Sequence, residues 1–196
     1  APINWAVING EKETGVTTFF LKHEIDTGDI IQQVKIGISD TDNVEVVHDK
    51  LMKLSGQLVI ETVNNIIAGT VKSIPQDDIK DIIPTPAPKI FRDTCRICWN
   101  QPSKKAHDFI RGLSPYPAAW TTLNGKSVKI TEAFPMTDIQ SQAEPGTIAT
   151  DQKTYLHVAT SDGWLDIRTL QIEGKKRMAT ADLLRGMKIE DGSCFG

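Results

Sequence analysis

The chain is poor in cysteine and aromatic residues and has no long apolar run, and each shortage removes a class of function. Three cysteines, Cys95, Cys98 and Cys194, cannot all pair within one chain, which points to a reducing compartment and away from a disulfide framework. Cys95-Arg-Ile-Cys98 has the spacing of a redox or metal pair. A redox pair opens a helix, however, whereas this stretch alternates in the manner of a strand. Zinc would need two further ligands, and the chain holds no second CxxC and no HxxxH, so no metal is expected. No apolar segment approaches the roughly 18 residues of a membrane span, and Ala1 opens neither a basic nor an apolar leader. The reading is of a cytoplasmic protein with no membrane partner. A hydrophobic share of 39% beside 24% charged residues is that of a folded globular chain. A start at Ala1-Pro2 without Met suggests a piece of a longer protein.

Positive charge is also scarce overall, the net charge being -3, but it is unevenly spread: residues 1–88 balance to -6 and residues 89–196 to +3. Such asymmetry points to a polyanion partner for the second half, set against the ordinary alternative that surface lysines are merely solvated.

Periodicity divides the chain into two parts. Residues 1–10 read as a short helix ended by Asn9-Gly10, and Gly15–Leu21 and Asp29–Ile38 as strands rich in Val, Ile, Thr and Phe. Asp42 and Glu45 stand at capping-box spacing, and apolar residues from Val44 to Ile67 recur with helical period as far as Gly69. Strands alternating with a long helix imply an α/β layer, yet two strands cannot complete a doubly wound sheet. Residues 1–73 therefore read as an incomplete Rossmann-like domain. Residues 74–88, with Pro75, Pro84, Pro86 and Pro88 and the acidic Asp77, Asp78 and Asp81, read as an extended linker. Beyond it, Ser103 can cap a short helix carrying Ala106, Phe109, Ile110 and Leu113 on one face. Short strand-like runs follow, with hairpin signals at Asn124-Gly125 and Asp162-Gly163, then a late helix at Thr180–Arg185. This pattern fits a small β-barrel over residues 89–196, with an OB-like barrel as the favoured form.

The strands flank Glu24-Ile25-Asp26-Thr27-Gly28-Asp29, which presents carboxylates at a strand end. Asp and Gly are ordinary turn residues, so local chemistry alone leaves Asp26 either structural or catalytic. Several motifs in order decide more. Ala1-Pro2-Ile3-Asn4-Trp5, Glu13-Thr14-Gly15-Val16-Thr17 and Ile25-Asp26-Thr27-Gly28-Asp29 resemble the second half of the catalytic domain of formyltransferases that use 10-formyltetrahydrofolate. Ile110-Arg111-Gly112-Leu113-Ser114-Pro115-Tyr116-Pro117-Ala118-Ala119-Trp120 and Gly174-Lys175-Lys176-Arg177-Met178 are similar to the carboxy-terminal domain of the methionyl-tRNA formyltransferase branch of that family.

The resemblance implies formylation of the amino group of initiator methionyl-tRNA in translation initiation, with 10-formyltetrahydrofolate as co-substrate and no metal. It implies a catalytic Asn, His and Asp, of which the Asp matches Asp26. None of His23, His48, His107 or His157 stands in the family's Asn-x-His context, so the chain alone is expected to be inactive. Lys22, His23, Glu24 and Ile25 match the loop beside the pterin ring, with a departure at Glu24, where the family often has the more permissive Gly. Asp29 reads as a structural turn residue. Candidates for tRNA contact are Lys89, Lys104, Lys105, Arg111, Lys175, Lys176 and Arg177. Trp99, Trp120 and Trp164 could stack on bases, but packing in the core is the better account. A complete enzyme is expected to be monomeric, and this piece to self-associate through unpaired strand edges. Two alternatives stay open. One is another folate-dependent enzyme, such as a sugar-amine formyltransferase or formyltetrahydrofolate dehydrogenase. The other is a free-standing RNA-binding module, which would leave the carboxylate-bearing turn without an explanation.

Overall fold

The computed structural model describes residues 1–79, 84–136 and 139–196. Helix α1 (Pro2–Ile8) starts with Pro at a position where its missing N–H is no loss, and it ends at Asn9 before Gly10. Strands β1 (Glu13–Phe19) and β2 (Ile30–Gly37) form an antiparallel ribbon in which Val16 faces Val34. Helix α2 (Val44–Ile67) lies along the ribbon, burying Val44, Val47, Leu51, Leu58 and Thr62 as one stripe. Thr62 Oγ1 donates to Gln32 Oε1 at 2.7 Å, which ties the far end of the helix to β2. The cap differs from the expected Asp42–Glu45 box. Asn43 accepts from the Val46 N–H at 2.9 Å, because the Asp42 carboxylate is drawn off by the Ser39 N–H at 2.9 Å and Lys50 Nζ at 2.6 Å.

Of the expected linker, residues 80–83, Asp81 among them, lie outside the described residues. Gln76–Asp78 make one 3-10 turn, and residues 84–88 are exposed without regular structure. A second 3-10 turn covers Asp93–Cys95, after which Arg96 bridges to Trp120 and Cys95, Ile97 and Trp99 turn inward in alternation. Helix α3 (Ser103–Gly112) is preceded by Pro102 at the cap position, and Ser103 is its first residue rather than its cap. The Ser103 N–H is met by Asp162 Oδ1 at 2.7 Å instead.

Six strands follow: β3 (Ala119–Leu123), β4 (Lys126–Pro135), β5 (Ile148–Thr150), β6 (Leu156–Ala159), β7 (Trp164–Ile172) and β8 (Met178–Ala179), with α4 (Thr180–Gly186) after them. Asn124 and Gly125 both adopt positive φ, +50° and +77°, as a two-residue hairpin between β3 and β4 requires. The OB-like barrel expected from this strand pattern does not form. The strands run in the open order β3-β4-β7-β6-β5 with β8 beside β7, and among the described residues no strand pair joins β3 to β5. The reason is that the short edge strand β5 and the edge strand β3 pair with the C-terminal segment rather than with each other. The C-terminal segment occupies both edges instead. Ser193 O accepts from the Ile148 N–H at 2.7 Å, the Phe195 N–H donates to Gly146 O at 2.9 Å, and Gly196 exchanges bonds of 3.1 and 3.0 Å with Thr122. The inner face, with Val128, Ile130, Leu165, Ile167 and Leu170, packs against α3, α4 and the Trp99–Phe195 stack.

The two parts touch through α1 and α3. A Cβ on Gly112 would lie 2.6 Å from Ile8 Cγ1 and 2.9 Å from Ile8 N, so the helices meet almost backbone to backbone. Asn4 Nδ2 donates across the contact to Gly112 O at 2.9 Å.

Candidate active site

The loop from Phe20 to Asp29 is pinned at its neck. The Phe20 N–H donates to Asp29 O at 3.0 Å, and a Cβ on Gly28 would sit 1.4 Å from Phe20 O, so only glycine fits there. Lys22 Nζ pairs with Asp29 Oδ1 at 2.7 Å, and that hydrogen bond raises the Lys22 pKa above its ordinary value. Thr27 Oγ1 donates to Glu24 O at 3.0 Å. Gln76, arriving after α2, donates its Nε2 to Asp26 O at 2.9 Å and Gly28 O at 2.7 Å, while Ile74 bridges to Ile30. Nothing in the sequence marks Gln76 for this role; a polar residue in a Pro-flanked segment carries no signal of its partner.

Asp26 stands in the left-handed region at φ +59°, where Asp is better tolerated than most residues. Its side chain is exposed and accepts no hydrogen bond among the described residues. Glu24 is not in the left-handed region, so the residue found where the family often has Gly imposes no backbone strain. Lys22, His23, Glu24 and Ile25 are all exposed, and the peptide groups of Lys22, His23 and Ile25 enter no hydrogen bond among the described residues. The loop thus offers a carboxylate beside unpaired donors and acceptors.

The expected basic residues separate into two sets. Lys104 and Arg111 are both engaged at the contact between the two parts, Arg111 buried there and Lys104 still exposed at its edge. Lys104 Nζ is 2.7 Å from Asp108 Oδ1 and 3.2 Å from Asp40 Oδ1; the lysines Lys12 and Lys104 hold the Asp40 carboxyl down at about 2. Arg111 is 5% exposed. Its Nε donates to Asp108 at 2.7 Å and its Nη1 to Asp42 O at 2.7 Å and Ser39 O at 3.1 Å, so most of its donors are already committed within the chain. Buried His107 joins the same contact, its Nδ1 2.7 Å from Ala133 O and its Nε2 2.9 Å from Asp40 O. Lys104, Asp108 and Arg111 at i, i+4 and i+7 on one helix are a readable ion-pair spacing, whereas the role of His107 depends on residues far away in sequence. Lys89, Lys105, Lys175, Lys176 and Arg177 are exposed and form no ion pair among the described residues. Arg177 lines a cleft of about 420 Å³ between the Thr41–Glu45 segment, α3 and β4, where Glu45, Glu132 and Thr169 also face.

Trp99 is buried in the core, while Trp120 and Trp164 are half-buried. His23 and His48 lie on the surface, and His157 is half-buried on β6. Among the described residues no three His, Cys, Asp or Glu side chains stand where they could hold a metal, and no helix is long and apolar enough to cross a membrane.

Known proteins resemble this chain in sequence. The methionyl-tRNA formyltransferase of Bacteroides fragilis is 59% identical over 197 residues, covering 97% of this chain and 60% of that protein. The Bacteroides thetaiotaomicron methionyl-tRNA formyltransferase is 58% identical, covering 98% of this chain and 61% of that protein. The chain therefore spans about 60% of the length of these relatives. Among solved structures, HypX from Aquifex aeolicus in complex with tetrahydrofolic acid shares the fold at a TM-score of 0.68 and 21% identity, over 96% of this chain and 34% of that one. The loop bearing Asp26 falls within residues 1–63, which match the model described as formyl transferase, and the sheet and α3 fall within residues 89–188, which match the formyl transferase C-terminal domain; the chain belongs to the formyl transferase family.

Proposed function

We propose that the chain is the part of a methionyl-tRNA formyltransferase that carries the catalytic aspartate and a tRNA-facing domain, working in translation initiation. The observation that carries this reading is the 59% identity to the Bacteroides fragilis enzyme over nearly the whole chain. The transfer forms a bond between the methionyl amine nitrogen and the formyl carbon and breaks the bond from that carbon to the folate nitrogen; the amine gives up a proton and the folate nitrogen gains one. On this reading 10-formyltetrahydrofolate supplies the formyl group, and its pterin meets the unpaired peptide groups of Lys22 to Ile25. Asp26 orients a histidine and stabilises its protonated form while the proton moves. That histidine and the oxyanion-binding Asn are outside the residues of this chain, so the chain alone is inactive. Lys89, Lys105, Lys175, Lys176 and Arg177 face initiator tRNA. Lys104 and Arg111, spent on carboxylates and carbonyls, are left out of that set.

Asp26→Asn in the complete enzyme tests the assignment. Turnover should fall by orders of magnitude, about 10⁴ being the loss when the orienting carboxylate of a hydrolytic triad is replaced, while the KM for folate stays within a few-fold. Turnover close to that of the parent would return Asp26 to the status of a turn residue.

A further inference from the structure

On the outer face of the sheet lies a cleft of about 480 Å³ lined by Phe91, Arg92, Tyr116, Trp120 and Lys129. Its aromatic residues are unusually open in a chain that is 6% aromatic: Tyr116 is 81% exposed and Phe91 58%. The half-buried Trp120 donates its Nε1 to Arg92 O at 2.8 Å, and the guanidinium groups of Arg92 and Arg96 each stand 5.6 Å from its ring. Lys89 Nζ lies 5.5 Å over the Phe91 ring. None of Lys89, Arg92, Arg96 or Lys129 has a carboxylate within ion-pair distance among the described residues, whereas Lys12, Lys22, Lys35, Lys50, Lys104 and Arg168 all do. Asp93, the nearest acid in sequence, pairs with none of them. Two guanidinium groups on one indole with no counter-charge repel each other, and an anion in the cleft would relieve that repulsion.

The cleft is also held ready. The Phe91 N–H donates to Thr94 Oγ1 at 2.9 Å, Phe91 O accepts from Thr94 Oγ1 at 2.7 Å, and the Ile97 N–H donates to Trp120 O at 2.8 Å. A backbone fixed before binding lowers the entropy cost of using the side chains it carries. Across the sheet Trp120 is paired with Lys129, and Lys129 with Gln171, whose Nε2 donates to Lys175 O at 2.9 Å. Directly paired residues project to the same face, so a row about 10 Å long, two strand spacings, leads from the aromatic cleft to the basic loop at Lys175.

We propose that this cleft is a stacking platform for a single-stranded segment of RNA, with bases on Tyr116, Phe91 and the edge of Trp120 and phosphates on Arg92, Arg96 and Lys129. The proposal rests on the reading that the protein handles tRNA and adds a defined place for an unpaired stretch of it. Core packing cannot account for Tyr116, which is almost wholly in solvent. Stacking accepts any base, and the row of cations follows a backbone, so the binding should be tolerant of sequence. The test uses the whole chain with a labelled eight-nucleotide oligoadenylate, an RNA duplex of the same length, and polyglutamate as a charge-only competitor. Tyr116→Ala should weaken oligoadenylate binding about 5- to 150-fold per stacked base with an unchanged salt slope, Tyr116→Phe should restore it, and duplex binding should be little affected. Arg92→Ala with Arg96→Ala should lower the log-log salt slope by about 1.4, two single-strand phosphates at roughly 0.7 each. Full affinity in Tyr116→Ala, equal losses for single strand and duplex, or displacement by polyglutamate as effective as by unlabelled oligoadenylate would each overturn the platform. Formylation by the parent enzyme reports separately on the proposed function, since that reading can stand while Tyr116→Ala binds normally.

Discussion

A single atom decides the geometry of the Asp26 loop. Where a β-carbon would stand on Gly28, the Phe20 carbonyl oxygen already lies, at 1.4 Å, so the neck closes only around glycine and Asp26 is left exposed with φ +59°. The Thr-Gly turn is legible in sequence for that reason: a glycine between two β-branched runs has few other uses. His157 shows a residue-scale effect that sequence does not reveal. It stacks on Tyr155 at 4.3 Å and lies 3.7 Å from Asp166, yet burial outweighs that carboxylate and pulls its pKa below the ordinary 6.5. The folded state therefore favours the neutral ring, while the unfolded chain takes up a proton near pH 6.5. In the window just below that value the unfolded state binds more protons, so this contribution is complete above about pH 6.5 and is lost as pH falls. Urea midpoints measured from about pH 7 to 5 should decline less steeply in His157→Gln than in the parent. Parallel declines would place the pH dependence on other groups.

At the scale of elements, what could be read in advance is what sequence periodicity encodes. The stripe Val44, Val47, Leu51 and Leu58 gave α2 its length, and Asn124-Gly125 gave the hairpin. The cap of α2 went to Asn43 because Asp42 found Lys50, about two helical turns further on, a competition that local spacing cannot rank. The open sheet was not legible either, since the strand pattern says nothing about the C-terminal tail lying against both edges. Least visible of all is the contact between α3 and the Ser39–Asp42 turn, because its partners are about 70 positions apart in sequence: Arg111 to Asp42 and His107 to Asp40. That contact carries a strong expectation. Arg111→Ala would leave Asp108, 5% exposed, with Lys104 as its remaining counter-charge and would take the donor from the Ser39 and Asp42 carbonyls, a loss of about 2–3 kcal/mol, less than the roughly 3–5 of a wholly unpaired buried charge. Pairing Arg111→Met with Asp108→Leu, which removes both charges, should recover most of it. Denaturant unfolding of the single and double variants measures this. A single variant within about 1 kcal/mol of the parent would show that the ion pair contributes little.

At the scale of the whole molecule, charge is divided between holding the chain together and facing outward. The chain carries -3 overall, with +3 on residues 89–196, and two of the cations behind that balance, Lys104 and Arg111, are committed to Asp108 and the first part of the chain. Outward charge therefore falls on fewer residues than sequence counting suggests, and the Lys175-Lys176-Arg177 loop between β7 and β8 concentrates three of them on exposed positions. Its backbone is anchored, with the Lys175 N–H on Ile172 O at 2.9 Å and Lys175 O accepting from Gln171, so the three side chains extend from a fixed base. If they meet tRNA phosphates, binding releases counterions, and the logarithm of affinity falls with the logarithm of salt by about 0.7 to 0.9 for each contact. Replacing Lys175, Lys176 and Arg177 together by Ala should lower that slope by about two to three units while leaving the fold intact, since none of the three contributes to the core. Titrations of parent and triple variant with initiator tRNA across a salt series measure it. Coincident slopes would mean that the loop is solvated surface and that the phosphates are held elsewhere.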